Sequence, residues 1–350
     1  MFRTWIFLLS TLFFCLQAHA STGFRQITLP GSGPDTVKVT LWYPTVMPGK
    51  MEHVADNPAF VGISVIRNAQ PVPGAHPLLV LSHGYNGNWR NLSWLATAMA
   101  AQGYIVAAPD HPGTTTFNQN PIEAKKLWRR PQDITRVINF VMSSPNLVGE
   151  TDKRRIAAAG HSLGGWTVME LAGARFDTAR FKQDCQQHPL RGDCKIAQKL
   201  GINEPQSPEK LAANLQDKRI KAIVSLDLGM VPGFTPQSLH TINIPVLLLA
   251  AQSDALAALP AKQESGYLAS EIPDRWAKFE LVNGATHFSF MQLCKPGAVA
   301  LIEEDSPGDG IVCQDGEGAN RASIHQIVAQ KVMVFLNSSL DYRAPVDEKR

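Results

Sequence analysis

Apolar and polar residues alternate along positions 37–43, and Pro44 closes the run, which is the pattern of a half-buried strand. Residues 78–81 and 104–108 are short apolar runs, and residues 155–159 lead into Gly160. Residues 220–226, 246–251 and 277–282 predict three further strands. Helical composition or spacing separates them. Residues 92–101 form one such stretch, stopped by Gly103; residues 132–142 carry apolar side chains at 134, 137, 138, 141 and 142. Residues 163–174 read as a helix, and residues 323–340 repeat apolar positions at 324, 327, 328, 332, 335 and 336. Apolar strands alternating with helices predict an α/β architecture, a mainly parallel sheet with helices on both faces. Residues 175–218 break the rhythm with no strand pattern, two cysteines and many charges. They are expected to be an insertion, either a cap over or beside a site or a surface decoration. Residues 118–131, with Leu127-Trp128, form a second long loop expected on the same rim.

The first twenty residues stand apart from this alternation. One charge, Arg3, precedes an almost wholly apolar stretch at 5–16, and Ala18-His19-Ala20 places small residues before Ser21. That is the layout of a secretory signal peptide, 1–20, followed by one folded domain, 21–350. The apolar run is too short for an ordinary membrane span, and no other stretch qualifies, so no transmembrane anchor is expected. Besides Cys15, the chain has Cys185, Cys194, Cys294 and Cys313, which allow three pairings. Neighbouring pairs, Cys185–Cys194 and Cys294–Cys313, would staple two separate loops. Oxidised cysteines fit an exported protein in the periplasm or the medium. At 44 % hydrophobic and 18 % charged, the 350 residues can bury a large core. Thirty-three basic against 30 acidic residues give a net charge of +3, and no run of five basic residues exists. Nucleic acid is therefore not an expected partner. No C-x-x-C or other metal-ligand spacing occurs, so neither metal nor cofactor is expected.

The chemistry is concentrated at Gly160-His161-Ser162-Leu163-Gly164-Gly165, a G-x-S-x-G pattern between a predicted strand and a predicted helix. A strand turning sharply into a helix holds the serine in strained geometry, and glycines two before and two after avoid clashes. The hydroxyl then stands at a helix N-terminus, whose dipole favours an oxyanion. Such a serine needs a base and an acid, in the chain order Ser, acid, His. Of the histidines after Ser162, His188 falls in the insertion, His240 in a connection and His325 inside the last helix. His287 alone follows a strand at its C-terminal edge, so it is the expected base. Two aspartates directly follow strands on that edge, Asp254 and Asp227. The spacing favours Asp254, with room for one helix and one strand before His287; Asp227, one strand earlier, is the alternative. Oxyanion donors are expected from the N–H of Leu163, after the nucleophile, and of Tyr85, after the strand and Ser82-His83-Gly84. His83 is expected to make a hydrogen bond inside that loop, and Asp110-His111-Pro112-Gly113 to form a turn lining the pocket.

Leu41-Trp42-Tyr43-Pro44, Leu81-Ser82-His83-Gly84, the Ser162 motif, Ser225-Leu226-Asp227 and Gly284-Ala285-Thr286-His287-Phe288 occur in this order. The combination resembles α/β-hydrolases of the platelet-activating-factor acetylhydrolase group and their bacterial dienelactone-hydrolase-like relatives, from about residue 37 to 340. The resemblance implies the α/β-hydrolase fold and a metal-free serine esterase for small-molecule or lipid carboxylic esters. Ser162 would be its nucleophile, His287 its base, and Tyr85 and Leu163 its oxyanion donors. In the eukaryotic acetylhydrolases the acid follows the earlier strand, which matches Asp227; in bacterial cutinase-like relatives it follows the later one, which matches Asp254. Dienelactone hydrolases proper use a cysteine nucleophile where this chain has Ser162, and the insertion at 175–218 departs from the compact members. An amidase or peptidase using the same triad, or a binding protein of this fold without catalysis, are the competing readings.

Overall fold

The computed structural model describes residues 21–31, 36–46, 49–252, 258 and 260–341. The expected signal peptide, 1–20, with Cys15, and Asp254 lie outside the described residues. The strands are β1 (Ser21–Leu29), β2 (Val37–Thr45), β3 (Met51–Val54), β4 (Ile63–Arg67), β5 (Ala75–Ser82), β6 (Ile105–Asp110), β7 (Glu150–His161), β8 (Ile220–Leu226), β9 (Val246–Ala251) and β10 (Ala277–Val282). They form one sheet in the order β10-β9-β8-β7-β5-β6-β2-β1-β4-β3. Every neighbouring pair from β10 to β6 is parallel. β2 is antiparallel to β6 and β1, β4 is parallel to β1, and β3 is antiparallel to β4.

Successive strand residues point to opposite faces, and the two faces feed two cores. Leu78, Val80, Ala158, Ile223 and Leu248 face the helices Arg129–Ser143 and Leu163–Ala172. Leu79, Leu81, Ala157, Ala159, Val224 and Leu249 face the helices Ser93–Ala101 and Arg321–Ser339. The parallel strands β5 to β9 are thus buried on both sides over their apolar residues, while β10 at the edge is largely exposed. β5 lies between β6 and β7, so the chain leaves β5 in one direction and later returns past it. Loops diverge at such a reversal and open a crevice at the C-terminal strand ends. The loop after β5 begins at His83, and the turn after β7 is Ser162.

The predicted strands and the four predicted helices are all present, extended by a few residues at several ends. β1, β3 and β4 add an N-terminal extension that the apolar pattern did not announce. The insertion is not irregular: it holds helices Thr178–Gln187, Gly192–Ile196 and Ser207–Leu211. Asp177 caps the first of these, its carboxylate accepting from the N–H of Ala179 at 2.8 Å and of Arg180 at 3.1 Å. Disulfide Cys185–Cys194 ties the first two together, and Cys294–Cys313 closes the second expected loop. No helix among the described residues is long and apolar enough to cross a membrane.

β1 is anchored by Phe24, which is fully buried and packs on Trp42 and Trp89 with ring centroids 5.7 and 5.6 Å apart. Phe24→Ala should therefore destabilise the protein by about 3–5 kcal/mol, read as a lowered urea midpoint. An unchanged midpoint would mean that β1 is not part of the cooperative core.

Candidate active site

Ser162 stands where β7 turns into the helix Leu163–Ala172, with φ 56° and ψ −121°. Its N–H donates to the carbonyl of Leu226 at 3.0 Å, and its own carbonyl accepts from the N–H of Gly165 at 2.8 Å. The flanking glycines are dictated by crowding. A Cβ on Gly160 would stand 2.1 Å from the Gly164 carbonyl oxygen, and one on Gly164 would stand 1.9 Å from that of Ser82. The helix start is thereby pressed against the end of β5.

His287 follows β10 and opens a short turn behind a reciprocal cap between Thr286 and Ser289. Its Nδ1–H donates to Asp227 Oδ2 at 2.7 Å, and both side chains are buried. A carboxylate on Nδ1 fixes the tautomer that keeps Nε2 as the basic nitrogen. Asp227 has φ 47°; its N–H donates to the Leu249 carbonyl at 2.7 Å, and its Oδ1 accepts from the N–H of Ala251 at 2.7 Å. The carboxylate is thus clamped to the end of β9. Of the two expected acids, the one on the imidazole is Asp227, the alternative, while Asp254 lies outside the described residues.

Ser162 and His287 line one cavity of about 310 Å³ together with Tyr85 and Leu163, the two expected oxyanion donors. Four insertion residues, Gly192, Asp193, Lys195 and Ile196, line it as well, so the insertion lies beside this site. Asp184, Cys185 and Cys194 have metal-like spacing, but their two sulfurs are joined in a disulfide and are not thiolate ligands.

Behind the loop after β5 runs a buried polar chain that sequence reasoning did not assemble. Arg130 donates to Ser82 Oγ at 3.2 Å, to Thr167 Oγ1 at 3.0 Å and to the carbonyl of His83. Ser82 Oγ meets His111 Nε2 at 3.0 Å, and His111 Nδ1 meets Asp133 Oδ2 at 3.1 Å. Each link has one donor and one acceptor when both rings are neutral: Arg130 to Ser82, Ser82 to His111, His111 to Asp133. His83 makes the expected bond inside the loop, Nδ1 to its neighbour's carbonyl, Gly84 O, at 2.7 Å, while its Nε2 accepts from the N–H of His111 at 3.0 Å. Burial and the Arg130 charge push the His83 imidazole down to about 3. His111 is therefore held inside this network rather than acting on a ligand. His161, which fills the variable position before Ser162, was also missed. It is buried, its Nε2–H donates to the His287 carbonyl at 2.8 Å, and burial holds it neutral, well below the usual imidazole range.

A family model described as serine aminopeptidase, S33, matches residues 74–182. The solved ferulic acid esterase from Streptomyces cinnamoneus superposes with a TM-score of 0.60 over 96 % of this chain and 95 % of that one, at 21 % identity. The chain has the α/β-hydrolase fold. It is 24 % identical to cutinase est1 of Thermobifida alba over 60 % of this chain and 53 % of that protein. It is 30 % identical to cutinase 2 of Thermobifida cellulosilytica over 60 % of each chain. It is 21 % identical to a bis(hydroxyethyl) terephthalate hydrolase of Streptomyces coelicolor over 62 % of this chain and 52 % of that one. The chain spans about half the length of the Thermobifida alba cutinases it matches.

The His83 geometry makes a spectroscopic prediction. Nitrogen-15 NMR of the imidazoles should show His83 as the neutral Nδ1–H tautomer and still unprotonated at mildly acidic pH, since its folded value is about 3 against 6.5. The unfolded chain takes up a proton below 6.5 that the folded one refuses, so this residue's contribution to stability is lost as pH falls from 6.5 towards 3. An imidazolium signal for His83 near pH 6 would refute the network.

Proposed function

We propose that the chain is an exported serine hydrolase that cleaves carboxylic esters through an acyl-enzyme. The observation that carries the reading is a serine on a positive-φ elbow lining one cavity with a histidine whose Nδ1 is held by a buried aspartate. In this reading Ser162 Oγ attacks the ester carbonyl as His287 Nε2 takes its proton. The Tyr85 and Leu163 N–H groups hold the tetrahedral oxyanion, and Asp227 stabilises the imidazolium. The alcohol leaves with the proton from His287, and water then repeats the sequence to release the acid. The names of the relatives, cutinases and esterases, support the ester as substrate class. The amidase or peptidase reading is favoured by one finding, the serine aminopeptidase description of the family model. Two disulfides and the leader-like segment support export to the periplasm or the medium.

The proposed acid is Asp227, supported by the 2.7 Å bond to His287 and consistent with the acetylhydrolase side of the resemblance. Ser162→Ala should lower kcat on p-nitrophenyl esters by roughly 10⁶ with the fold intact, and should abolish labelling by a fluorophosphonate. A variant keeping a tenth of the activity would remove Ser162 as nucleophile. Parallel assays of p-nitrophenyl esters and amino-acid p-nitroanilides decide between ester and amide; faster turnover of the anilides would overturn the esterase reading.

Asp227→Asn favours the wrong imidazole tautomer, and such a swap costs about 10⁴ in kcat in a comparable triad. Asp254→Asn should lose far less. The comparison belongs in one assay with both variants checked by circular dichroism. A dead Asp254→Asn beside a near-normal Asp227→Asn would return the acid to the later strand.

A further inference from the structure

The cavity shared by Ser162 and His287 has one wall built by the insertion, and that wall is rigidly tied. Asp193 Oδ2 accepts from the N–H of Met230 at 2.7 Å and from Arg191 Nη2 at 3.0 Å. Its Oδ1 accepts from Arg191 Nε at 3.1 Å and from the N–H of Cys194 at 2.8 Å. Cys194 is bonded in turn to Cys185. Two consecutive residues are therefore fixed, and the next one, Lys195, stands at the cavity with little freedom in its backbone.

The charges of this wall differ in kind. Asp193 is buried, and both its oxygens are taken up by Arg191 and by backbone N–H groups, so it has none free to meet a ligand. Lys195 is exposed, and no carboxylate among the described residues lies within ion-pair distance of it. Apart from these two, the lining holds no Lys, Arg, Asp or Glu, and much of it is apolar: Ile196, Met230, Phe288 and Ile311. A single unpaired ammonium at a low-dielectric cleft raises the local concentration of anions there and disfavours cations.

We propose that Lys195 is a specificity-determining residue that favours esters carrying an anionic group close to the scissile bond, a half-ester of a dicarboxylic acid being the simplest. The inference rests on the esterase reading above. The carboxylate of such a substrate would pair with the Lys195 ammonium at the rim while its carbon chain lies on the apolar lining. Neutral esters of equal length would gain only the apolar contact.

The test compares two substrates matched in length, mono-p-nitrophenyl adipate and p-nitrophenyl hexanoate, and reads the ratio of their kcat/KM values. Exposed ion pairs change binding by a small factor, so Lys195→Met should lower the adipate-to-hexanoate ratio about three- to fivefold. Lys195→Glu should lower it further, and Lys195→Arg should keep it. The wild-type ratio should fall with added salt, and that of Lys195→Met should stay flat. Lys195 is exposed, and circular dichroism checks that each variant is folded. A ratio equal to wild type in both Lys195→Met and Lys195→Glu overturns the inference and leaves the esterase reading standing. No turnover of either ester by the wild type removes the esterase reading, and the inference with it.

Discussion

A serine at φ 56° and ψ −121° occupies backbone space that side chains avoid, at a cost on the order of 1–3 kcal/mol. Locally only its carbonyl is held, by the N–H groups of the helix start, so the surroundings must over-determine it. β8 does so through the Leu226 carbonyl, which takes the Ser162 N–H. β5 does so by contact, since only glycine at 164 lets the helix start lie against Ser82. The elbow therefore forms only when β5, β7 and β8 are already in register. The same three strands meet where the chain order reverses, which is why the strained residue and the crevice coincide.

The loop facing the elbow is held by polar groups rather than by packing alone. Burying Arg130 is expensive, and its desolvation lowers its own proton affinity to about 9. The cost is offset because its donors meet oxygens of Ser82, His83, Thr114 and Thr167, and Asp133 lies nearby as counter-charge. The two histidines beside it are neutral, so the cluster keeps one cation and one anion rather than three cations. A directional chain of this kind tolerates no protonation of a member without losing an acceptor.

Period and composition were enough for the doubly covered sheet, because strands buried on both faces must be apolar throughout. β1, β3 and β4 escaped because they lie at the sheet's antiparallel end, where the burden of burial is lighter. β3 alternates exposed and half-buried residues, and β1 interrupts its buried run with Arg25 and Gln26. The insertion's helices escaped because caps such as Asp177 start them, while few apolar residues mark a face: only Thr178 and Phe181 are buried in Thr178–Gln187. Ser162 and His287 were legible because strand ends and a glycine pattern mark them. The acid was legible only as a pair of candidates. Both follow strands, and spacing does not reveal that a φ of 47° at Asp227 turns its carboxylate onto His287 and the end of β9.

The insertion and the turn that carries Asp227 are mechanically one unit. Arg191 faces three carboxylates: Asp193 at 3.0 Å, Asp184 at 2.9 Å and Glu264 at 3.3 Å. One guanidinium cannot neutralise three anions in a buried site, and burial together with the Asp193 charge pushes the Glu264 carboxyl well up. The same carboxyl groups reach the turn that leaves β8. Asp193 takes the N–H of Met230, and Glu264 takes that of Val231 at 3.0 Å. These two peptides lie three and four residues beyond Asp227. Removing either carboxylate would leave a buried N–H without its acceptor and would free the turn that carries the Asp227–His287 bond. A wall that shapes the cavity is thus also a brace for the aspartate that holds His287. Substitutions at Asp193 or Arg191 act on both functions at once, whereas Lys195, outside this cluster, can vary in charge while the brace stays in place.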